Sequence, residues 1–333
     1  MTDPPRQGRS VMATFRRGVF WALAAGVLVY VAMGFYAGRE DVAGELAHFA
    51  WALMGPILGL SLANYGIRFL RWELYLRRLG IRVRPWTSVS VFMAGLAMTI
   101  TPGKVGEFLK SYLLKETDDV PMMRSAPVIF MERVTDLLAL VALASVGVGT
   151  YYAQGTWILA LSGGAMVFGL GVLMSRKVCL WLLQPLRKLP KVGGMVDGLV
   201  EAYLAAHALT RPLPLLLGLI LGVAAWTCEC MGFHLCFVAL QEQVAPGASV
   251  FTYAFSTIAG VVSPGGLGAT DASLVGIAMA ITDSLTKPTA VTAAFVVRAA
   301  TLWFAVAVGA LFLLRFSRPL QVDVEAARGG MDS

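Results

Sequence analysis

Two long hydrophobic runs, Trp86–Leu114 and Ser249–Ile281, are each interrupted near the middle by proline and glycine. The first carries Thr101-Pro102-Gly103-Lys104-Val105-Gly106-Glu107 and the second Ser263-Pro264-Gly265-Gly266-Leu267-Gly268. Proline removes a backbone donor and collides with the preceding turn, and glycine weakens the helix that remains. In a bilayer the freed backbone groups have no water to turn to. Such a break is stable only where protein covers it or where it lines a wet cavity. Two breaks at matching places in two halves of a chain point to a transporter site. A lone Pro-Gly would say little, because both residues are common in membrane helices.

The rest of the chain agrees with a bilayer. Hydrophobic residues make up 57% and charged residues only 14%, with mean hydropathy +0.71. A soluble protein would carry about 25% charged residues. Several runs reach the roughly 20 apolar residues that span a membrane. The net charge of +7 does not call for nucleic acid, since cytoplasmic loops of membrane proteins collect Lys and Arg. Cys179, Cys228, Cys230 and Cys236 lie in or beside hydrophobic runs. With only three histidines in the chain, neither a zinc site nor any other metal or cofactor is expected. The cysteines read as small apolar residues, outside any disulfide framework.

Full crossings are expected at Val19–Ala37, Phe49–Leu70, Val128–Tyr152, Trp157–Met174, Leu213–Leu240 and Thr289–Leu314. The first run is too long for a signal peptide and reads as a retained helix behind a basic segment, residues 1–18. Arg6 to Arg17 precede the first crossing. Arg71 to Arg84 follow the second, Arg176 to Lys191 the fourth, and Arg315 and Arg318 the last. The opposite loops, Gly38–His48, Ala153–Thr156 and Gln241–Ala248, hold a single Arg between them. The positive-inside rule is satisfied if both termini are cytoplasmic and both broken runs are re-entrant.

Under that bookkeeping the first broken run enters from the cytoplasm and the second from outside. The fold expected is an all-α polytopic membrane protein of two inverted halves, with about six full crossings and two re-entrant hairpins. The membrane domain covers residues 19–316, with halves at about 48–153 and 213–315. Between them lies a basic cytoplasmic linker, 176–211, whose later part has an apolar face, and the tail is 317–333.

Pro102 can open a helix, and a helix N-terminus attracts anions through its unpaired N–H groups. Lys104 adds a full charge. Gly265 and Gly266 leave the second break bare, so that backbone donors can approach a phosphate. Close helix packing through small residues is the plainer reading of those glycines. Ionisable groups inside membrane runs are functional candidates by default. Glu107 and Lys110 are three apart and share a face. Glu132 and Asp136 flank Arg133 in the third crossing, Asp271 lies one turn beyond the second break, and Arg298 stands deep in the last crossing. Glu229 is also deep, with His234 five residues on. The competing reading for all of these is structural ion pairing. For Arg68, Arg71 and Lys115, near helix ends, it is snorkelling to the interface. Asn64 could bond across helices.

Four motifs in order carry a resemblance: Asn64-x-x-x-Arg68-x-x-Arg71-Trp72, Pro102-Gly103-x-x-Gly106-Glu107 with Lys110, Glu132-Arg133-x-x-Asp136, and Pro264-Gly265-Gly266-Leu267-Gly268 with an acid three residues on. Together they resemble the flippase-like transmembrane family, which includes the membrane domain of lysylphosphatidylglycerol synthases and stand-alone proteins linked to hopanoid or glycolipid metabolism. The family's acid after the second break is usually Glu, and Asp271 is one methylene shorter. The resemblance implies movement of a polar lipid head group. It also adds Arg68 and Arg71 to the substrate-binding set of Lys104, Glu107, Lys110, Arg133, Asp136, Gly265, Gly266, Asp271 and Arg298. Fused members carry a cytosolic aminoacyl-transferase domain, for which the tail after the last crossing is too short, so a transporter is expected in place of an enzyme.

The expected function is alternating access in the bacterial inner membrane, with membrane lipids as partners. Lys104, Arg133 and Arg298 would hold an anionic phosphate, and Glu107, Asp136 and Asp271 would pair with them when the site is empty. With no P-loop motif, the driving force would be a gradient or the membrane potential. One rival is a lipid head-group enzyme using Glu132/Asp136 or Glu229/His234. The other is a non-catalytic partner that docks a separate lipid-synthesising enzyme through the basic linker.

Overall fold

Proline stands in the first turn of four of the helices, where its missing N–H costs nothing and its fixed φ suits the helix. In this computed structural model the described residues are 24, 26–101, 106–151, 206–261 and 263–317, with isolated positions between 160 and 204. The helices are α1 Gly26–Ala37, α2 Arg39–His48, α3 Met54–Arg78, α4 Pro85–Leu96, α5 Leu109–Asp118, α6 Met122–Tyr151, α7 Pro212–Ala239, α8 Pro246–Ala259, α9 Ala269–Ile281, α10 Lys287–Arg298 and α11 Phe304–Ser317. Proline is the first residue of α4, α7 and α8 and the second of α10. Thr286 caps α10 by accepting the Thr289 N–H at 3.3 Å. The crossing expected at Trp157–Met174, most of the linker, the N-terminal segment and the tail fall outside the described residues.

Among the described residues three segments are long and apolar enough to cross a membrane: Trp51–Arg78, Pro212–Ala239 and Lys287–Phe316. At 30 residues α6 is as long, but it carries Glu132, Arg133 and Asp136 in its middle. Its start at Met122 is six residues earlier than the hydropathy indicated, because Arg124 and the polar residues beside it still extend the helix. The two broken runs each form a pair of short helices, α4/α5 and α8/α9. These are 10 to 14 residues long, roughly 15–21 Å, against the ~30 Å of a hydrocarbon core.

Packing between the two parts of the chain is reciprocal. The long helices α3 and α7 lie against each other, and Asn64 donates to the Ala225 carbonyl at 2.8 Å across that seam. The first member of each broken pair packs on the last crossing of the other part, α4 on α11 and α8 on α6. The α4–α11 approach is so close that a Cβ at Gly309 would collide with the Ala97 backbone. Between α10 and α11 the chain makes a π-helical turn, Ala299–Trp303. A π turn widens the helix and weakens its own ladder. The Ser61 and Tyr65 hydroxyls, one turn apart on α3, donate to the Ala300 and Thr301 carbonyls at 2.8 and 3.1 Å. Helix α1 covers the same turn, where the Trp303 indole N–H donates to the Tyr30 hydroxyl at 2.9 Å.

Candidate functional site

The second break turns on backbone that favours glycine: Gly265, Gly266 and Gly268 have φ of 59°, 74° and 79°. This turn sets the α9 N-terminus, where the Asp271 carboxylate accepts the Gly268 N–H at 2.9 Å. The other Asp271 oxygen lies 2.8 Å from Arg298 Nε, and Arg298 Nη2 donates to the Gly265 carbonyl at 2.6 Å. Arg298 is the last residue of α10, directly before the π turn. One guanidinium thus joins the broken helix pair to the crossing that follows it. The half-helix terminus expected to attract an anion already holds its own carboxylate.

At the first break Thr101 accepts the Gly106 N–H at 2.9 Å, and α5 begins at Leu109. Lys104 and Pro102 lie outside the described residues. Glu107 and Lys110 do share a face, 3.7 Å apart. The Lys110 amine turns to Glu132 at 2.6 Å and lies 4.8 Å from the centre of the Trp72 ring. Gly95 leaves room for it, since a Cβ there would stand 2.5 Å from Lys110 Cγ. Arg133 sits 3.2 Å from Glu107 and 3.0 Å from Asp136. Asp136 also takes Arg71 at 2.6 Å and Arg68 at 3.8 Å.

The snorkelling expected of Arg68 and Arg71 is incorrect. Helix α3 continues to Arg78, so both residues lie inside it, at 6% and 0% exposure, and face α6. Buried charges are costly unless paired, and these alternate in sign along the chain Arg71–Asp136–Arg133–Glu107–Lys110–Glu132.

A cavity of about 240 Å³ lies among α3, α6, α7 and the second break, with Thr99 of the first broken run at its edge. From the first part of the chain Arg68, Arg133, Asp136 and Thr99 line it. Gly265, Gly266 and Arg298 line it from the second. Arg71, Glu107, Lys110 and Asp271 stand behind this wall and hold it. Glu229, absent from the expected site set, lines the cavity as well, and Tyr253 donates to it at 2.8 Å. Tyr65, Trp226 and Thr301 complete that side. A glutamate in mid-helix was a visible signal. The tyrosines and threonine gave none, being ordinary in membrane runs. His234 is elsewhere, 3.3 Å from Ser249.

Around the cavity and in the ion pairs behind it stand the cations Arg68, Arg71, Lys110, Arg133 and Arg298 and the carboxylates Glu107, Glu132, Asp136, Glu229 and Asp271. Among the described residues no group of three or more His, Cys, Asp or Glu is placed to hold a metal ion.

Residues 23–309 match the family described as the lysylphosphatidylglycerol synthase TM region. The chain belongs to this family. Its membership and its helices make it a multi-pass helical membrane protein. The family region takes in both breaks and every charged side chain described above. Among curated proteins the chain is similar to Glycosyltransferase AglD of Haloferax volcanii, 25% identical over 134 residues. That stretch is 40% of this chain, and it spans only 22% of the length of that relative.

Proposed function

We propose that this protein is a polar-lipid flippase or transporter of the bacterial inner membrane. It moves a lipid with an anionic or phosphate-bearing head group by alternating access of two inverted halves, both termini lying in the cytoplasm. The observation that carries the reading is the cavity beside the second break, which arginines from both parts of the chain line. Guanidinium is the side chain best matched to a phosphate, through paired N–H donors. Reciprocal packing of α4 on α11 and α8 on α6 supports the inverted halves, and the short paired helices support re-entrant hairpins.

The head group enters the cavity while its acyl chains remain in lipid. A phosphate competes with Asp136 for Arg68 and Arg133, and with Asp271 for Arg298. Each displaced carboxylate then takes a proton or turns to a neighbouring cation. This exchange couples the occupied site to helix packing, because Asp136 joins α6 to α3 and Asp271 joins the second break to α10. The similarity to AglD favours one second reading, in which the protein serves a separate glycolipid-modifying enzyme as its membrane partner.

Proteoliposomes carrying dye-labelled phosphatidylglycerol and phosphatidylethanolamine test the proposal. Wild type moves at least one of them, and folded Glu107→Gln and Arg298→Ala slow it by about tenfold or more, the equivalent of ~1.4 kcal/mol in the barrier. Absence of movement, even with a proton gradient or potential imposed, contradicts it and favours the partner reading.

A further inference from the structure

The cavity is lined by charges of both signs. Arg68, Arg133 and Arg298 form an anion-binding wall, as above. A second cluster gathers about Glu229 on α7. Trp226 precedes it by three residues and so shares its helix face. The Tyr253 hydroxyl bonds both Glu229, at 2.8 Å, and Thr301, at 3.4 Å. Tyr65 reaches the Thr301 carbonyl at 3.1 Å. A carboxylate and three aromatic residues lining one cavity are side chains of the kind that bind an ammonium group. A carboxylate supplies charge, and aromatic rings supply cation–π attraction to a cation that has left water.

We propose that the site takes a zwitterionic head group. Its phosphate lies against Arg133 and Arg298, and its ammonium lies against Glu229 within Tyr65, Trp226 and Tyr253. This rests on the lipid reading above and narrows it, making Glu229 the residue that sets head-group specificity. A purely structural Glu229 would clamp α7 to α8 through Tyr253. Glutamine accepts the same hydrogen bond without the charge, so Glu229→Gln separates the two roles.

The test is binding of short-chain phosphatidylethanolamine and phosphatidylglycerol to the purified full chain in detergent, by calorimetry. Wild type is expected to bind phosphatidylethanolamine about tenfold tighter, or ~1.4 kcal/mol, which lies within the range of a desolvated cation–π contact. Glu229→Gln abolishes the preference, and Glu229→Asp keeps part of it. Equal or tighter binding of phosphatidylglycerol by wild type overturns the inference and leaves the lipid reading standing. An intact preference in Glu229→Gln overturns it too. Should that variant fail to fold, the wild-type ranking alone decides. Soluble phosphoethanolamine binding as tightly as the lipid would overturn the lipid reading while upholding the zwitterion. Binding of none of the three overturns both.

Discussion

Arg298 and Asp271 show at single-residue scale what holds the second break. Asp271 satisfies the α9 N-terminus and Arg298 together, and Arg298 in turn holds the Gly265 carbonyl. Removing one member of a buried pair strands the other charge, at a cost of roughly 3–5 kcal/mol, whereas removing both is far milder. Arg298→Met is therefore expected to lower the detergent melting temperature sharply, and Arg298→Met/Asp271→Asn to recover at least half of the loss. Equal destabilisation by the single and the double variant would show that Arg298 matters through packing. The sequence marked Arg298, Asp271, Glu107 and Lys110 because charge at membrane depth is rare. It misjudged Arg68 and Arg71 because a hydropathy window ends a helix where charges begin, and α3 runs on past them. Pairing across the fold, such as Arg71 with Asp136, has no local signature at all.

At the scale of elements, the breaks themselves were legible, since Pro and Gly act on the backbone directly. The π turn after Arg298 was not, because nothing in Ala299–Trp303 forbids an ordinary helix. Its stability comes from α3, whose Ser61 and Tyr65 hydroxyls satisfy two of its carbonyls. Leaving a buried acceptor unsatisfied costs about 1–3 kcal/mol. Ser61→Ala and Tyr65→Phe are each expected to destabilise by that amount, and the double variant to show hydrogen exchange concentrated in residues 299–303. Protection there unchanged in the double variant would contradict this account of the turn.

For the whole molecule, charge counting and repeated breaks suggested two halves in opposite orientation. Sequence offered no view of how they meet, since that depends on which faces of α3, α4, α6, α7, α8 and α11 find each other. The second break touches the first broken run: a Cβ at Gly265 would stand 3.1 Å from Ile100 Cα and 3.6 Å from its Cβ, and Ile100 packs with Leu267, Leu302 and Val306. Alternating access requires this contact to open and close. That Cβ separation is within disulfide reach. Gly265→Cys adds ~1–2 kcal/mol of strain from its left-handed backbone, and its Cβ makes the Ile100 backbone give by a few tenths of an ångström.

The most direct measurement is lipid translocation by Ile100→Cys/Gly265→Cys in a background lacking Cys179, Cys228, Cys230 and Cys236. With the crosslink verified, oxidation is expected to stop movement and reduction to restore it, while each single variant is indifferent to oxidant. Lipid moved equally fast by crosslinked and reduced protein would contradict a pathway that works by parting the two breaks.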